Sequence, residues 1–273
     1  MDTVTAPRSW AQGVRDWTPV ALILVAYLML HQLAPSLTPG AHVQPQLGFD
    51  EWLFGGTAPT VRLQDALWTP GNPHWYDFAA WLVYLSHFVV TLTVAIVLWA
   101  RAYPLFRRFR TLFLAVTFAG FVTYVAYPAI PPWLAGNRGD MEHTVRIVRA
   151  MWLELGLSDV AAVFGEKSKY AFPVGALPSL HAAWPFLLLV FFWPIAGRWR
   201  IALVAYALAM AFTLVYTADH FVFDVLLGWT YVLVACLFAR FLHGRRRPIS
   251  SRSVFRGGSR RRPRGRAGHD PSS

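Results

Sequence analysis

His220 and Asp224 stand four residues apart in the run His220-Phe221-Val222-Phe223-Asp224-Val225-Leu226-Leu227, which is otherwise apolar. On a helix that spacing puts both side chains on one face. A carboxylate beside an imidazole fixes which ring nitrogen carries the proton, leaves the other free to attack or abstract, and stabilises the imidazolium that follows. The same pair can also simply satisfy itself inside a bundle. Asp219 is the other carboxylate nearby, but it immediately precedes His220 and faces elsewhere on a helix. A third candidate is His181 in Gly175-Ala176-Leu177-Pro178-Ser179-Leu180-His181. Ser179 is a good N-cap, and Pro178 discourages helix upstream, so His181 falls in a first helical turn. There it can bind an anion or protonate a leaving oxygen, or act only as an interfacial residue.

The elements that must position these groups are membrane spans. Of 273 residues, 56% are hydrophobic and 14% charged, against about 45–50% and 25% in soluble domains. The 13 Trp, 20 Phe and 10 Tyr exceed what one soluble core needs; Trp17, Trp99, Trp133, Trp152 and Trp199 suit interfacial belts. Six stretches approach the roughly 17–25 apolar residues of a spanning helix: 17–33, 78–100, 111–127, 180–195, 201–216 and 221–242. The fourth and fifth are short and need their flanks. The predicted fold class is an all-α polytopic bundle of about six helices over 17–243, with a cytoplasmic N-terminus (1–16) and a basic disordered tail (244–273). Arg8 and Arg15 before a short apolar core also fit a signal peptide, but no small-x-small cleavage site follows. An ionisable group in such a layer costs about 2.5–3.5 kcal/mol, which makes it a functional candidate by default.

Charge sets the orientation. With six spans, the N-terminus, the 101–110 and 197–200 connections and the tail share one side and hold 19 of the 25 Lys and Arg. That side is read as cytoplasmic, so the starts of the fourth and sixth spans, with all three candidate residues, are extracytoplasmic. Eleven of those cations lie between Arg240 and Arg266; they account for much of the +11 net charge and read as a topogenic tail on an anionic membrane, with no nucleic-acid partner. Two long segments, 34–77 and 128–179, lie outside. The second contains an amphipathic helix predicted over 143–155, lying on the membrane or capping the bundle. The lone Cys236 permits neither an intrachain disulfide nor a Cys-based zinc site, and no repeat is apparent.

Three patterns resemble the phosphatidic acid phosphatase type 2 superfamily, specifically its membrane branch of inositol phosphorylceramide synthase and related lipid phosphotransferases: Tyr127-Pro128-Ala129-Ile130-Pro131-Pro132-Trp133, Leu177-Pro178-Ser179-Leu180-His181 and His220-Phe221-Val222-Phe223-Asp224. Their order and placement agree with that family over about residues 15–243. The resemblance implies phosphoryl transfer without metal or other cofactor: His220 attacks phosphorus, Asp224 supports it, and His181 protonates the departing oxygen before an alcohol or water accepts the group. The phosphatase members carry a Lys and an Arg-Pro pair in the first motif and a Ser-Arg pair ahead of the nucleophile; here that last stretch reads Thr213-Leu214. The departure favours the phosphotransferase branch over a lipid or polyprenyl phosphate phosphatase. It shifts anion binding onto Arg138, Lys167 or Lys169, with backbone N–H groups near Ser179.

Other classes make different demands. A transporter with a His–Asp proton relay calls for charges near the middle of several spans, whereas these cluster at the ends. A scaffold would work through its basic tail and tolerate loss of His220. A Ser179 protease lacks a glycine-flanked nucleophile turn. The expected partners are a phosphorylated lipid substrate and membrane lipids.

Overall fold

The computed structural model describes residues 9–163 and 173–244. Its helices are α1 (Trp10–Leu37), α2 (Gln46–Phe54), α3 (Pro59–Leu67), α4 (Trp75–Arg101), α5 (Tyr103–Ala126), α6 (Pro132–Arg138), α7 (Ile147–Glu154), α8 (Ser158–Val163), α9 (Leu180–Phe192), α10 (Arg200–Tyr216) and α11 (Val222–Gly244). Among the described residues, five segments are long and apolar enough to cross a membrane: Trp10–Leu30, Trp75–Arg101, Tyr103–Ala126, Gly197–Tyr216 and Val222–Leu242. The chain is a multi-pass, all-α membrane protein. The fourth predicted span differs. Its helix, α9, has 13 residues, about 20 Å at 1.5 Å per residue, against a hydrocarbon layer of roughly 30 Å. It packs among α4, α5 and α10 and buries Ala182, Ala183, Leu187 and Leu188, so its neighbours supply the surroundings that lipid supplies to a longer helix. The basic tail expected from residue 244 onward falls almost wholly outside the described residues.

Two boundaries differ from the sequence reading. The connection expected over 101–110 is a single residue, Ala102, because Tyr103-Pro104 starts α5 with proline in its first turn, where the missing N–H costs nothing. Arg110 therefore lies on a helix, where its Nη1 donates to the Asp16 backbone carbonyl at 2.8 Å and lies 3.2 Å from the Asp16 carboxylate. Trp99 Nε1 and the Tyr103 hydroxyl donate to the same carboxylate, tying α1 to α4 and α5. The predicted 143–155 helix begins only at Ile147. Gln64 of α3 intercepts the backbone first: its Nε2 donates to the Val145 and Tyr216 carbonyls and its Oε1 accepts from Val145 N–H. The helix that follows caps the bundle, burying Ile147, Val148 and Met151 and setting Trp152 edge-on to Trp81 of α4.

The ends that carry the candidate residues are joined by backbone hydrogen bonds. Extended residues around His42, Ala129 and Gly175 form parallel bridges, and Trp133 N–H donates to the Ala218 carbonyl. The 127–133 motif is thus a brace between the approaches to His181 and His220. α10 closes with Ala218 N–H on Val215 and Asp219 N–H on Leu214, with Ala218 in the left-handed region at φ 62°, a helix ending that usually takes glycine. α11 then starts with its first amides satisfied from two sides: Asp50 of α2 accepts from Val222 and Phe223 N–H at 2.9 and 3.0 Å, and Asp224 reaches back to Phe221 N–H at 2.9 Å. Finally, Ser179 N–H donates to the Asp224 carbonyl at 3.0 Å, and a methyl group added at Gly228 would sit 2.3 Å from the Ser179 carbonyl oxygen. Only glycine lets α11 pass the start of α9 this closely.

Two expectations follow from this packing. Gly228→Ala should destabilise the detergent-solubilised protein by about 1–3 kcal/mol, the usual range for overpacking, while Gly40→Ala, with nothing within 4 Å of the added carbon, should not; equal melting temperatures for the two variants would refute the close approach. Burial pushes the Asp50 carboxyl up from 3.8 to about 6 despite its two amide donors. The folded state then binds this proton more tightly than the unfolded one, so the contribution is full below about pH 4 and lost as pH rises through about 6. Asp50→Asn removes that slope: the melting temperature of the variant minus that of wild type should rise between about pH 4.5 and about pH 7, and parallel profiles would contradict it.

Candidate active site

His220 precedes α11 rather than lying on it, since its N–H bonds the Leu214 carbonyl and so belongs to the end of α10. The helical i, i+4 argument for the pair therefore does not apply, although the turn still brings Asp224 Oδ2 to 3.5 Å from His220 Nδ1. A closer partner is the Ala176 carbonyl, 2.9 Å from the same nitrogen. A carbonyl only accepts, so Nδ1 carries the proton and Nε2 presents its lone pair. Orientation of the ring is thus shared between a backbone carbonyl on the approach to α9 and the Asp224 carboxylate, which is also engaged by Phe221 N–H.

That lone pair meets His181. Nε2 of His220 lies 3.3 Å from Nδ1 of His181, which makes the latter nitrogen the donor. His181 sits in the first turn of α9, where Ser179 caps the helix by accepting from Ala182 N–H at 3.2 Å. Two residues of α4 hold its ring: Tyr84 stacks on it at 5.0 Å between centroids, and His87 lies at 4.2 Å. His87 is buried, and its Nδ1 is 2.9 Å from the Tyr84 carbonyl. Sequence reasoning passes over His87, although an imidazole in the apolar run 78–100 was itself a signal.

The structure brings His181, His220, Asp224 and Ser179 together but not Arg138, whose Nη2 donates to the Thr38 carbonyl on an exposed surface. Lys167 and Lys169 lie outside the described residues. Among the described residues, Arg146 is a cation beside the histidines. Its Nε is 2.9 Å from Asp219 Oδ1, with the two side chains 17% and 5% exposed, and it hydrogen-bonds Tyr84. Its guanidinium lies over Trp133, 5.3 Å from the ring centroid. Burial works against its charge, but Asp219 and Tyr84 together hold its pKa above the ordinary value. Asp219 turns its carboxylate to Arg146 and to the Thr217 hydroxyl. Nothing in the sequence around Arg146 distinguishes it from Arg149; the Gln64 grip on Val145 does, and it depends on a residue 81 positions away.

Chemically, a nitrogen lone pair faces a proton-bearing ring across 3.3 Å, with a guanidinium close by. Such an arrangement can supply a nucleophile, an acid and an anion site within one cluster.

The chain is similar to proteins of known name. It is 32% identical over 181 residues to a phosphoinositol dihydroceramide synthase of Bacteroides thetaiotaomicron, covering 62% of this chain and 57% of that protein. It is 26% identical over 184 residues to the catalytic subunit of an inositol phosphorylceramide synthase of Schizosaccharomyces pombe, covering 61% and 40%. The chain thus spans about half the length of these curated relatives. No solved structure matches it. The sequence profile of the PAP2 superfamily matches residues 47–238, from α2 through α11 and across all three motifs, and the chain belongs to that superfamily.

Proposed function

We propose that this protein is a membrane phosphotransferase of the inositol phosphorylceramide synthase type, moving a phosphorylated headgroup from one lipid to the hydroxyl of another through a phosphohistidine on His220. The observation that carries the reading is the His220–His181 contact at 3.3 Å, with the Ala176 carbonyl 2.9 Å from the other nitrogen of His220. In the first step the His220 Nε2 lone pair attacks phosphorus while the bond to the departing lipid oxygen breaks, and that oxygen takes a proton from His181. In the second, the acceptor hydroxyl gives its proton to His181 as its oxygen attacks phosphorus and the P–N bond breaks. Asp224 and the Ala176 carbonyl hold the His220 ring through both. Substrate must enter between the two rings, because nucleophile and leaving oxygen lie on opposite sides of the phosphorus. The charge on phosphorus is met by side chains and amides around Ser179, without a metal.

Two features support transfer over hydrolysis. His220 is only 4% exposed, and exclusion of water protects an intermediate for an alcohol acceptor. Both named relatives are synthases. The excess of cations at the opposite ends of the spans supports an extracytoplasmic site, level with lipid headgroups that reach it from within the bilayer.

The test uses the detergent-solubilised protein, an inositol phospholipid labelled in its phosphate, and ceramide. Label should pass into a new phosphoceramide ester, and alkaline quenching should trap it on wild type but not on His220→Ala. His220→Ala and His181→Ala should each lower turnover by about 100-fold or more. Folded His220→Ala protein with wild-type turnover would sink the proposal, and label released only to water would favour the phosphatase alternative.

A further inference from the structure

The cluster contains more charge than the two-histidine chemistry uses. Arg146 stands beside the histidines through Tyr84, whose ring stacks on His181. The guanidinium is already matched by one carboxylate, that of Asp219, directly before His220. Asp219 is itself held in place, its Oδ2 accepting from the Thr217 hydroxyl at 2.9 Å. The other nearby carboxylate, Asp224, is engaged by Phe221 N–H and His220.

Resting on the phosphotransfer reading, we propose that the Arg146–Asp219 pair is a charge filter that selects phosphodiester donors over phosphomonoesters. Arg146 binds the phosphate oxygens; Asp219 cancels one unit of positive charge beside them. The acid needed on His181 brings one further positive charge when it is protonated. Asp224 balances the positive charge that His220 takes on as its Nε2 bonds phosphorus, so the Arg146–Asp219 pair and His181 leave room for a single negative charge, which a phosphodiester carries as donor, as phosphohistidine intermediate and as product. A phosphomonoester at neutral pH carries roughly 1.5 to 2 negative charges and would leave an uncompensated charge beside a buried carboxylate, where like charges are costly. The guanidinium fork suits carboxylate and phosphate oxygens alike, so the same group can hold Asp219 and orient a substrate.

The experiment compares release of diacylglycerol from phosphatidylinositol, a diester, and phosphatidate, a monoester, in the same mixed micelles. Wild type should favour the diester. Asp219→Asn keeps the shape and the bond to Thr217 but removes the charge, and should raise the phosphatidate-to-phosphatidylinositol ratio of kcat/KM by about ten-fold or more, the effect of one unscreened like charge in a partly buried site. Arg146→Ala should lower kcat/KM on both lipids by about 100-fold, and Arg146→Lys should recover part of it. A measurement on wild type alone guards against a misfolded variant: between about pH 8 and about pH 5.5 the phosphatidate dianion takes up one proton and becomes a monoanion, so the same ratio should rise as pH falls. A ratio that moves with neither Asp219→Asn nor pH overturns the filter, as does undiminished activity in Arg146→Ala. If those results come with an inactive His220→Ala, the filter alone fails; if His220→Ala is active, the phosphohistidine reading beneath it fails.

Discussion

The site depends on one close approach, that of the start of α9 to the first turns of α11. Ser179 N–H bonds the Asp224 carbonyl, and the Ser179 carbonyl lies against Gly228 one turn further along. His181 follows Ser179 by two residues and His220 precedes Asp224 by four, so this contact sets the distance between the two imidazoles. A side chain at position 228 would part the helices and change the spacing of the two imidazoles, now 3.3 Å apart. Gly120 of α5 does the same for the other side of α9, where an added methyl would meet Leu180 at 2.9 Å.

Around that contact the governing constraint is that helix ends in a low-dielectric layer must find partners for their backbone groups. Asp50 and Asp224 satisfy the first amides of α11, Ser179 caps α9, and Gln64 satisfies both backbone groups of Val145. Each of these bonds also positions a functional side chain. Asp50 steadies the helix that follows His220, Ser179 fixes the turn that holds His181, and Gln64 delivers Arg146. The 127–133 motif contributes no reacting group; it acts by bracing Ala176, whose carbonyl sets the tautomer of His220, and Ala218, whose left-handed backbone turns the chain into the nucleophile.

The chemistry and the charge balance then follow from which groups face each other. His220 can present a lone pair because its other nitrogen faces a carbonyl, and His181 turns a ring nitrogen toward that lone pair. Arg146 is present with a carboxylate already beside it, so the pair adds no net charge to the site before substrate arrives. The proposed preference for a singly charged phosphate is a consequence of that pairing.

The all-α membrane class and most of the spans were legible in the sequence, which also singled out the two histidines with Asp224 as candidates, because long apolar runs and ionisable residues at their ends are local, additive signals. It also determined the superfamily, through motifs whose order survives along the chain. Only the tertiary structure decided that α9 is a short buried helix, that α5 begins at Tyr103, that His220 lies before its helix, and that the Ala176 carbonyl is its nearer partner. It likewise decided that Arg146, not Arg138, is the cation beside the histidines, with His87 behind His181. The reason is common to all of these. Each is set by a hydrogen bond or packing contact between residues distant in the chain, Gln64 with Val145 or Ser179 with Gly228, and no local pattern of residue types records such pairings.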